Sequence, residues 1–518
     1  MGLSFPFTGS LFPLAFVGLV PILLVNHQIS QLPKHRFWWR LAANFPAFLI
    51  YNLITSWWIS NASVEGMLMA VVITTINMTI PVLFAGFISR HLGEGKGLLA
   101  FIVLWLSMEY GQFFGETAWP WVNFGNIFAT IPQLIQWYEY SGILGGTLWI
   151  LYINIFLYIV IRNVWFNKET FKIQTPNLVM LSAGLLIPVI SSLVRYYSYV
   201  EKSDPVEVVV VQPNFESYTE KFIIPGALQL NKAKEIAGPE ISAVTDLVLL
   251  PETAIVGDVD EATVETHPAF ASLLEFSLSH FNVPILTGAS TQVKFDKPRS
   301  PASEKCGDKF CEDYNTAMLV QPFVSVQFYH KSKLVPGAET IPFLTWFPSL
   351  KEYSMELGGT SGILGPGSPP VSLEASGLKF ATLICYESVY GELVANFTLS
   401  GADILCVMTN DGWWGDTPGY KQHCAFSGLR AIENRRSVAR SANTGISCLI
   451  NQRGEVIEQL AWDKRGVLRG TLNRNTELTF YVRYGDLLGR VSLFLSIAMI
   501  LYAAVTAVRN RGEKAKTV

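Results

Sequence analysis

Long uninterrupted apolar runs dominate both ends of the chain. About 20 apolar residues are needed to cross the hydrocarbon core of a bilayer, which is about 30 Å thick. The runs that approach or reach this length are 12–25, 41–59, 67–88, 98–114, 140–161, 178–196 and 487–508. This pattern predicts membrane-spanning helices on both sides of a less apolar segment, 200–486.

The segment 200–486 follows a different pattern, in which short β-branched apolar runs alternate with polar or helix-periodic stretches. The predicted strands are 206–212, 247–250, 284–287, 316–320, 324–329, 380–384, 404–408 and 446–450, and the clearest predicted helices are 268–280 and 419–436. Strands that are apolar on both faces belong to a sheet that is covered on both sides. The segment is long enough to form one α/β domain with its own core.

Composition and charge refine this picture. The chain has 518 residues, of which 50% are hydrophobic and 15% charged, which is typical of a membrane protein. Its formal net charge of −3 gives no indication of a nucleic-acid partner. Lysine and arginine are absent from the connections 60–66 and 115–139 and present in the alternate ones, which places the basic side in the cytoplasm.

The domain organisation follows from these observations. We expect transmembrane helices in 1–199, an outward-facing domain in 200–486, a last transmembrane helix in 487–508 and a cytoplasmic basic tail in 509–518.

Three strand-like runs end in side chains with reactive chemistry. LVLLPE ends at Glu252, VSVQFYHK ends at Lys331, and KFATLICYE contains Cys385 near its end. A free thiol has a pKa of about 8.5, so a carboxylate such as Glu252 must take its proton as attack begins. A fixed ammonium, Lys331, and the N–H that follows Cys385 would stabilise the negative charge of a tetrahedral intermediate. Together the three side chains predict acyl transfer through a cysteine.

Other interpretations of these residues are open at this point. A free cysteine is among the most buried residue types, and Glu252 and Lys331 could each be a solvated strand end. A Cys–His pair with His423 or His330 as the base competes with the carboxylate. His330 directly precedes Lys331, so on a strand the two point to opposite faces and cannot both enter one site.

Aromatic residues mark two predicted loops of the outward segment. Trp413 and Trp414 are adjacent, and Phe343 and Trp346 lie in the run 341–350. Beside a bilayer such residues contact the interface or a lipid substrate, although packing in a satellite core is an equally weighted alternative. The Gly/Pro-rich stretch 358–370 predicts a loop without the Lys-Ser/Thr ending of a phosphate-binding loop, and we expect neither a cofactor nor a metal.

Cys306 and Cys311 flank a short polar stretch of the same segment. Outside the cytoplasm they could form a disulfide, and a loop with two free thiols is an equal alternative.

The segment 206–472 resembles the carbon-nitrogen hydrolase (nitrilase) superfamily. The Glu-Lys-Cys triad of that superfamily corresponds to Glu252 in LLPETAI, Lys331 in YHKSKLVPGAE and Cys385 in ICYES. The wider chain is similar to the apolipoprotein N-acyltransferase family, most specifically in WPWVNFG, CYE and TNDGWWG. This resemblance implies a polytopic α-helical protein of the bacterial inner membrane with an inserted periplasmic nitrilase-like domain, an αββα sandwich.

The resemblance also implies roles for further residues. Glu339 would support the triad lysine, Glu387 would be an auxiliary acid, Tyr386 and Trp414 would line an acyl pocket, and Asn315 and Asn410 would support the site. Gly337-Ala338 replaces the Phe-Gly that usually precedes Glu339 in the family, which affects local loop packing more than the triad.

The implied reaction moves a fatty acyl group from a phospholipid, typically phosphatidylethanolamine, through a thioester on Cys385. The acceptor is the N-terminal amine of a diacylated apolipoprotein, so the partners are the phospholipid, the apolipoprotein and the lipid bilayer. The alternative enzyme is a membrane-tethered amidase or nitrilase that acts on a small soluble substrate, against which the aromatic loops argue. A binding module with an inactive fold would have a substituted triad position, and none is substituted.

Overall fold

The structure, a computed structural model, describes residues 1–347, 349, 362–367 and 369–516. It divides into two compact units. The first unit contains 1–57, 64–198 and 484–518, and the second contains 58–63 and 199–483. Parts of the predicted loop 358–370 and of the aromatic run 341–350 lie outside the described residues.

Helices form the first unit and cover the sheets of the second. In chain order they are α1 (Val20–Gln31), α2 (Arg36–Ser56), α3 (Val64–Leu92), α4 (Glu94–Gly111), α5 (Tyr138–Ile161), α6 (Thr175–Ser198), α7 (Gly226–Ala237), α8 (Pro268–Ser279), α9 (Gly391–Leu399), α10 (Pro418–Asn434), α11 (Phe480–Tyr484) and α12 (Leu487–Lys516).

In the first unit, a helix occupies each of the apolar runs that predicted a span. Within the part of the chain that the structure describes, the segments long and apolar enough to cross a bilayer are Phe12–Gln31, Val64–Leu92, Tyr138–Phe166, Thr175–Ser198 and Leu487–Asn510. α2 and α4, also predicted as spans, carry charged residues that include buried Arg40 and Glu109. α6 exposes Val179, Ile187 and Val194, as expected for a helix that faces lipid. The polytopic α-helical architecture is therefore confirmed.

The WPWVNFG motif is fixed within the first unit by Glu109. This fully buried carboxylate accepts hydrogen bonds from Trp105 Nε1 at 3.0 Å, the backbone N–H of Phe124 at 3.0 Å and Thr147 Oγ1 at 2.6 Å. Trp119 and Trp121 stack with ring centroids 5.5 Å apart. The connection 115–139, which contains this motif, is therefore packed within the first unit rather than a loose loop.

The second unit is built on two sheets. Its strands are β1 (Pro205–Gln212), β2 (Leu247–Leu249), β3 (Ile255–Asp260), β4 (Ile285–Phe295), β5 (Glu304–Cys306), β6 (Lys309–Val320), β7 (Gln327–His330), β8 (Leu373–Ala375), β9 (Leu378–Ile384), β10 (Ile404–Thr409), β11 (Val438–Ala442), β12 (Ser447–Ile450), β13 (Val456–Leu460) and β14 (Gly466–Asn473).

The eight-stranded sheet has the order β14-β1-β2-β4-β6-β5, with β3 paired to β4 and β7 paired to β6, and the six-stranded sheet has the order β13-β12-β11-β10-β9-β8. β1 of the first sheet packs against β11 of the second. α7 and α8 cover the outer face of the first sheet, and α9 and α10 cover the second. The inserted domain is therefore the expected αββα sandwich.

Burial explains why the central strands were predictable. Val209, Val248 and Ile285 lie in one core cluster with Leu273 of α8, and each is at most 1% exposed. The pairing of β4 with β6 is longer than predicted, running from Ile285↔Val320 to Phe295↔Phe310. The predicted strand 324–329 begins only at Gln327, because residues 321–326 form a turn before β7.

Cys306 and Cys311 form a disulfide where β5 turns into β6. This decides between the two alternatives that the sequence left open. The other cysteines, Cys385, Cys406, Cys424 and Cys448, are free and buried.

Candidate active site

The three predicted triad side chains come together in the second unit. Glu252 lies three residues beyond the end of β2, Lys331 directly follows β7, and Cys385 directly follows β9. They are buried, with exposed fractions of 7%, 1% and 9% respectively. Lys331 Nζ lies 3.4 Å from Glu252 Oε1, and both charges act on the Cys385 thiol. A carboxylate, an ammonium and a thiol thus share one buried cluster.

A hydrogen-bond network fixes the carboxylate and the ammonium. Lys331 Nζ donates to Glu339 Oε1 at 2.8 Å, and Asn315 Nδ2 donates to both Glu252 Oε1 at 2.8 Å and Glu339 Oε1 at 2.9 Å. The backbone N–H of Asn410 donates to Glu252 Oε2 at 3.0 Å. The structure thus places Glu339, Asn315 and Asn410 beside the triad, where the family resemblance expected them.

The charge state of the cluster follows from burial and these contacts. Burial raises the pKa of the Cys385 thiol, and Glu252 raises it further, while Lys331 opposes both. For Lys331, burial lowers the pKa, but the carboxylates of Glu339 and Glu252 outweigh it and hold the pKa above its usual value. The resting site therefore holds a protonated thiol beside a charged ammonium, and attack by sulfur requires a base.

The backbone at Cys385 presents the thiol on a sharp turn. Cys385 has a φ of +52°, a left-handed conformation that costs a residue with a side chain of the order of 1–3 kcal/mol. The carbonyl oxygen of Cys385 accepts a hydrogen bond from Ser388 Oγ at 2.8 Å and lies 3.0 Å from His423 Nε2. These contacts hold the turn between β9 and the following short helix.

A second group of buried charges lies behind this turn. Asp411, His423 and Arg440 have no exposed surface. Arg440 Nη2 donates to Asp411 Oδ2 at 2.7 Å, and Asp411 Oδ1 lies 2.8 Å from His423 Nδ1. Burial raises the pKa of Asp411, but Arg440, His423 and a hydrogen bond from Thr409 together outweigh burial and keep the pKa below its usual value.

The two histidines proposed as alternative bases are occupied elsewhere. Burial and Arg440 lower the pKa of His423, which favours the neutral imidazole, and both of its ring nitrogens have partners. His330 stacks on Tyr314 with centroids 4.1 Å apart and its Nε2 lies 2.6 Å from Glu261 Oε1. The geometry therefore favours Glu252 over either histidine.

Among the described residues, one group of side chains, Cys385, Asp411 and His423, has a spacing that suits a metal ion. Ligand atoms of Cys385, Asp411 and His423 lie within 4.8 Å of one another. The Arg440 guanidinium already supplies a positive charge to the Asp411 carboxylate at 2.7 Å. A cation added there would be repelled by that arginine.

Glu387 connects the cysteine turn to the loop that carries Lys331. Its Oε1 accepts hydrogen bonds from Tyr329 OH at 2.6 Å and from the Ser332 N–H at 2.7 Å, and its Oε2 accepts one from the Ile384 N–H at 2.9 Å. Burial raises the pKa of Glu387, which these donors oppose. Glu387 thus links the turn at Cys385 to the loop that carries Lys331, and its role as an acid stays a prediction.

The predicted aromatic contacts divide into packed and exposed residues. Trp413 stacks on Phe222 with centroids 5.9 Å apart, and Trp414 packs edge-on against Trp58 at 4.8 Å. The remaining three are Tyr386, which is buried and packs on Tyr390 at 5.2 Å, and Phe343 and Trp346, which are 47% and 76% exposed. Contact of these residues with substrate or membrane stays a prediction.

Lys221 is a charged residue near the triad that the sequence did not single out. It lies in the stretch FESYTEKF, which has the composition of a solvated loop, yet it is 1% exposed. Burial lowers the pKa of Lys221 to about 7, while Glu252 opposes this shift. Asp411 and Arg440 were also missed, because each lies in a stretch for which the sequence predicted neither a helix nor a strand.

Comparison with known proteins identifies two matching family models. Residues 225–478 match the carbon-nitrogen hydrolase model, and residues 1–156 match the model of the apolipoprotein N-acyltransferase N-terminal domain.

Full-length relatives agree with both models. An apolipoprotein N-acyltransferase of Chlorobaculum tepidum is 28% identical over 98% of this chain and 95% of its own. Another, of Geobacter metallireducens, is 27% identical over 94% of this chain and 90% of its own. Among solved structures, an amidase from Nesterenkonia sp. covers 54% of this chain and 95% of its own, at 17% identity and a TM-score of 0.37.

Proposed function

This chain belongs to the apolipoprotein N-acyltransferase family, and we propose that it transfers a fatty acyl group from a membrane phospholipid to the N-terminal amine of a lipoprotein's diacylglyceryl-cysteine. This transfer is the last step of lipoprotein maturation. The observation that carries the proposal is the convergence of Glu252, Lys331 and Cys385 in one buried cluster.

The first half-reaction forms a thioester on Cys385. As Sγ attacks the ester carbonyl carbon of the phospholipid, Glu252 takes the thiol proton, which the raised pKa of Cys385 makes necessary. The carbonyl oxygen becomes negative, and the Lys331 ammonium stabilises it. When the intermediate collapses, the lysophospholipid alkoxide leaves and takes the proton from Glu252.

The second half-reaction returns the enzyme to its resting state. Glu252, again a carboxylate, takes a proton from the lipoprotein amine as the nitrogen attacks the thioester carbonyl carbon. The carbon–sulfur bond then breaks, and Glu252 passes that proton to Sγ. The products are an amide and a free thiol, which is ping-pong chemistry. The low exposure of all three triad residues keeps water from the thioester, which favours transfer over hydrolysis.

We place the enzyme in the bacterial inner membrane with its catalytic domain in the periplasm and phosphatidylethanolamine as donor. The lysine and arginine distribution supports this orientation. The Cys306–Cys311 disulfide supports it independently, because disulfides persist outside the reducing cytoplasm.

A membrane-tethered amidase is the weaker alternative. Residues 1–156 match an N-terminal domain named for the acyltransferase, and the curated relatives with that name extend over nearly the whole chain. An amidase that acts on a small soluble substrate has no need of that domain.

The test is mass spectrometry of the purified protein after incubation with phosphatidylethanolamine. We expect the mass of one fatty acyl group to be added and then removed by hydroxylamine. Cys385→Ala should abolish the adduct, whereas Cys406→Ala, which removes another buried free thiol on β10, should retain it. An adduct that persists in Cys385→Ala would disprove the mechanism.

A further inference from the structure

Lys221 is a buried lysine that the reaction described above does not use. It is 1% exposed, and its ammonium makes neither an ion pair nor a hydrogen bond with any residue that the structure describes. Buried lysines are normally paired, as Lys331 is with Glu252 and Glu339. Burying an unpaired amine lowers the folding stability, so its presence here indicates a functional role.

The chain around Lys221 is held against the active site. Ser217 Oγ donates to Asn410 Oδ1 at 3.1 Å, and the N–H of Asn410 donates to Glu252 Oε2 at 3.0 Å. Gln229 Nε2 of α7 donates to the carbonyl oxygen of Lys221 at 2.6 Å. The next residue, Phe222, stacks on Trp413. These contacts fix the backbone on both sides of the lysine.

The charge that faces Lys221 is the general base itself. Among the described residues, Glu252 is the one charged group whose field acts on the Lys221 ammonium. Lys331 and Asn315 are hydrogen-bonded to Oε1 of the Glu252 carboxylate. Its Oε2 accepts the N–H of Asn410. α7 contributes the neutral Gln229. Lys221 therefore belongs to the same site as the triad.

Amide formation needs one proton acceptor more than hydrolysis does. An α-amine has a pKa of about 7.7–8.0, so the acceptor arrives largely as an ammonium, which has no lone pair for attack. That nitrogen must lose two protons before an amide is complete. Glu252 carries one of them to the sulfur of Cys385, so a second acceptor is required for the other.

Given the proposed acyl transfer, we propose that Lys221 is this second acceptor. Its neutral amine takes one proton from the lipoprotein ammonium, and the freed nitrogen lone pair attacks the thioester carbonyl carbon. The carbon–sulfur bond then breaks with its electron pair on Sγ, which receives the second N–H proton through Glu252. Lys221 afterwards releases its proton to solvent.

The charge balance of Lys221 suits this step. Burial lowers its pKa to about 7, so a substantial fraction of the amine is neutral near neutral pH. A proton acceptor works best when its pKa lies near the working pH. An ordinary lysine, with a pKa of about 10.4, would be protonated there.

The test separates the two half-reactions. Purified protein is loaded with acyl groups from phosphatidylethanolamine, freed of donor, and then treated with a diacylglyceryl-cysteinyl peptide or with hydroxylamine, an amine that is neutral at neutral pH. In Lys221→Met we expect normal acylation and normal release by hydroxylamine, but peptide acylation slowed by up to about tenfold at pH 7, because only about a tenth of an amine with a pKa of about 7.7–8.0 is neutral at that pH. The loss should shrink as the pH rises above the pKa of the peptide amine.

Lys221→Arg keeps a charge that cannot be released and should show the same selective loss. Lys232→Met removes a lysine of α7 that pairs with Glu235 at the surface and should behave as wild type.

Two results would overturn the inference. One is that Lys221→Met slows acylation by phospholipid and leaves peptide transfer unchanged, which would make the lysine a binder of the donor phosphate. The other is an equal loss with peptide and hydroxylamine. Because acylation in each variant reports a folded site, a wild-type protein that forms no adduct would instead reject the proposed function.

Discussion

Two clusters of buried charged side chains lie beside Cys385, and they differ in whether their charges are balanced. The catalytic cluster is Glu252, Lys331, Glu339 and Asn315, and the elbow cluster is Asp411, His423 and Arg440. All seven residues are at most 7% exposed. Burial alone therefore does not distinguish the cluster that we propose to react from the cluster that we propose to support the turn.

Charge balance distinguishes them. The catalytic cluster contains two carboxylates and one ammonium, so its formal charge is negative and it can accept a proton. In the elbow cluster Arg440 balances Asp411, and the lowered pKa of His423 keeps the imidazole neutral. A balanced group with all its partners in place gains nothing from a further proton.

The contacts with Cys385 differ as well. The catalytic cluster acts on the sulfur through the charges of Glu252 and Lys331, whereas His423 of the elbow cluster approaches the backbone carbonyl at 3.0 Å. We therefore expect mutations in the first cluster to change the rate of the chemical step. Mutations in the second should change mainly the stability of the turn.

Glu252→Gln should give the largest effect on acylation among changes that keep Cys385. Glutamine preserves the shape and the hydrogen bond with Asn315 but cannot take a proton, so we expect acylation to slow by roughly 10²- to 10⁴-fold. Single-turnover mass spectrometry of the thioester measures this rate.

The matched control is Glu261→Gln, which changes a carboxylate of the same domain that contacts His330. It should retain most of the activity. If Glu252→Gln acylated within a few-fold of wild type, the catalytic cluster would not contain the base.

Lys331→Met should have the next largest effect, and Lys333→Met should have little. Lys331 is buried between two carboxylates, whereas Lys333 is partly exposed and lies over the Tyr390 ring at 5.0 Å. Loss of one oxyanion donor slows a reaction by about 10²- to 10³-fold. Burst amplitudes with phosphatidylethanolamine, normalised to the folded fraction, measure both variants.

Normalisation matters because breaking a buried ion pair costs about 3–5 kcal/mol of folding stability. Thermal unfolding of Lys331→Met should therefore show a loss that Lys333→Met does not. A rate order opposite to this one would move the oxyanion site to Lys333.

Much of this site could be predicted from the sequence because its residues follow apolar strands. Glu252 and Cys385 follow strands of buried apolar residues, and Lys331 follows the partly buried β7. β2 and β7 belong to one sheet and β9 to the other, and the ends of the three strands meet at the site. The long apolar runs of the first unit were predictable for a similar reason, since length and hydropathy suffice to identify a span.

The remaining features depend on tertiary packing that no local pattern encodes. β13 (Val456–Leu460) is largely exposed at a sheet edge, so it lacks the apolar run that identifies a buried strand. Lys221 lies in a polar stretch that packs through contacts with residues distant in sequence: Asn410 accepts a hydrogen bond from Ser217, and Trp413 stacks on Phe222. Prediction from the sequence relied on apolar runs and their periodicity, and neither β13 nor the stretch around Lys221 has such a pattern.

His423→Gln should have the smallest effect, and it tests whether the elbow cluster only supports the turn. The side chain approaches the Cys385 carbonyl oxygen at 3.0 Å, and a hydrogen bond of this kind contributes about 0.5–1.5 kcal/mol, so its loss should slow acylation by no more than about tenfold. Glutamine can still donate to a carbonyl, which should reduce the loss further. The measurement is the same single-turnover acylation, repeated across pH beside Glu252→Gln. If His423→Gln slowed acylation as much as Glu252→Gln does, the imidazole would be the working base, and the difference between the two clusters would not hold.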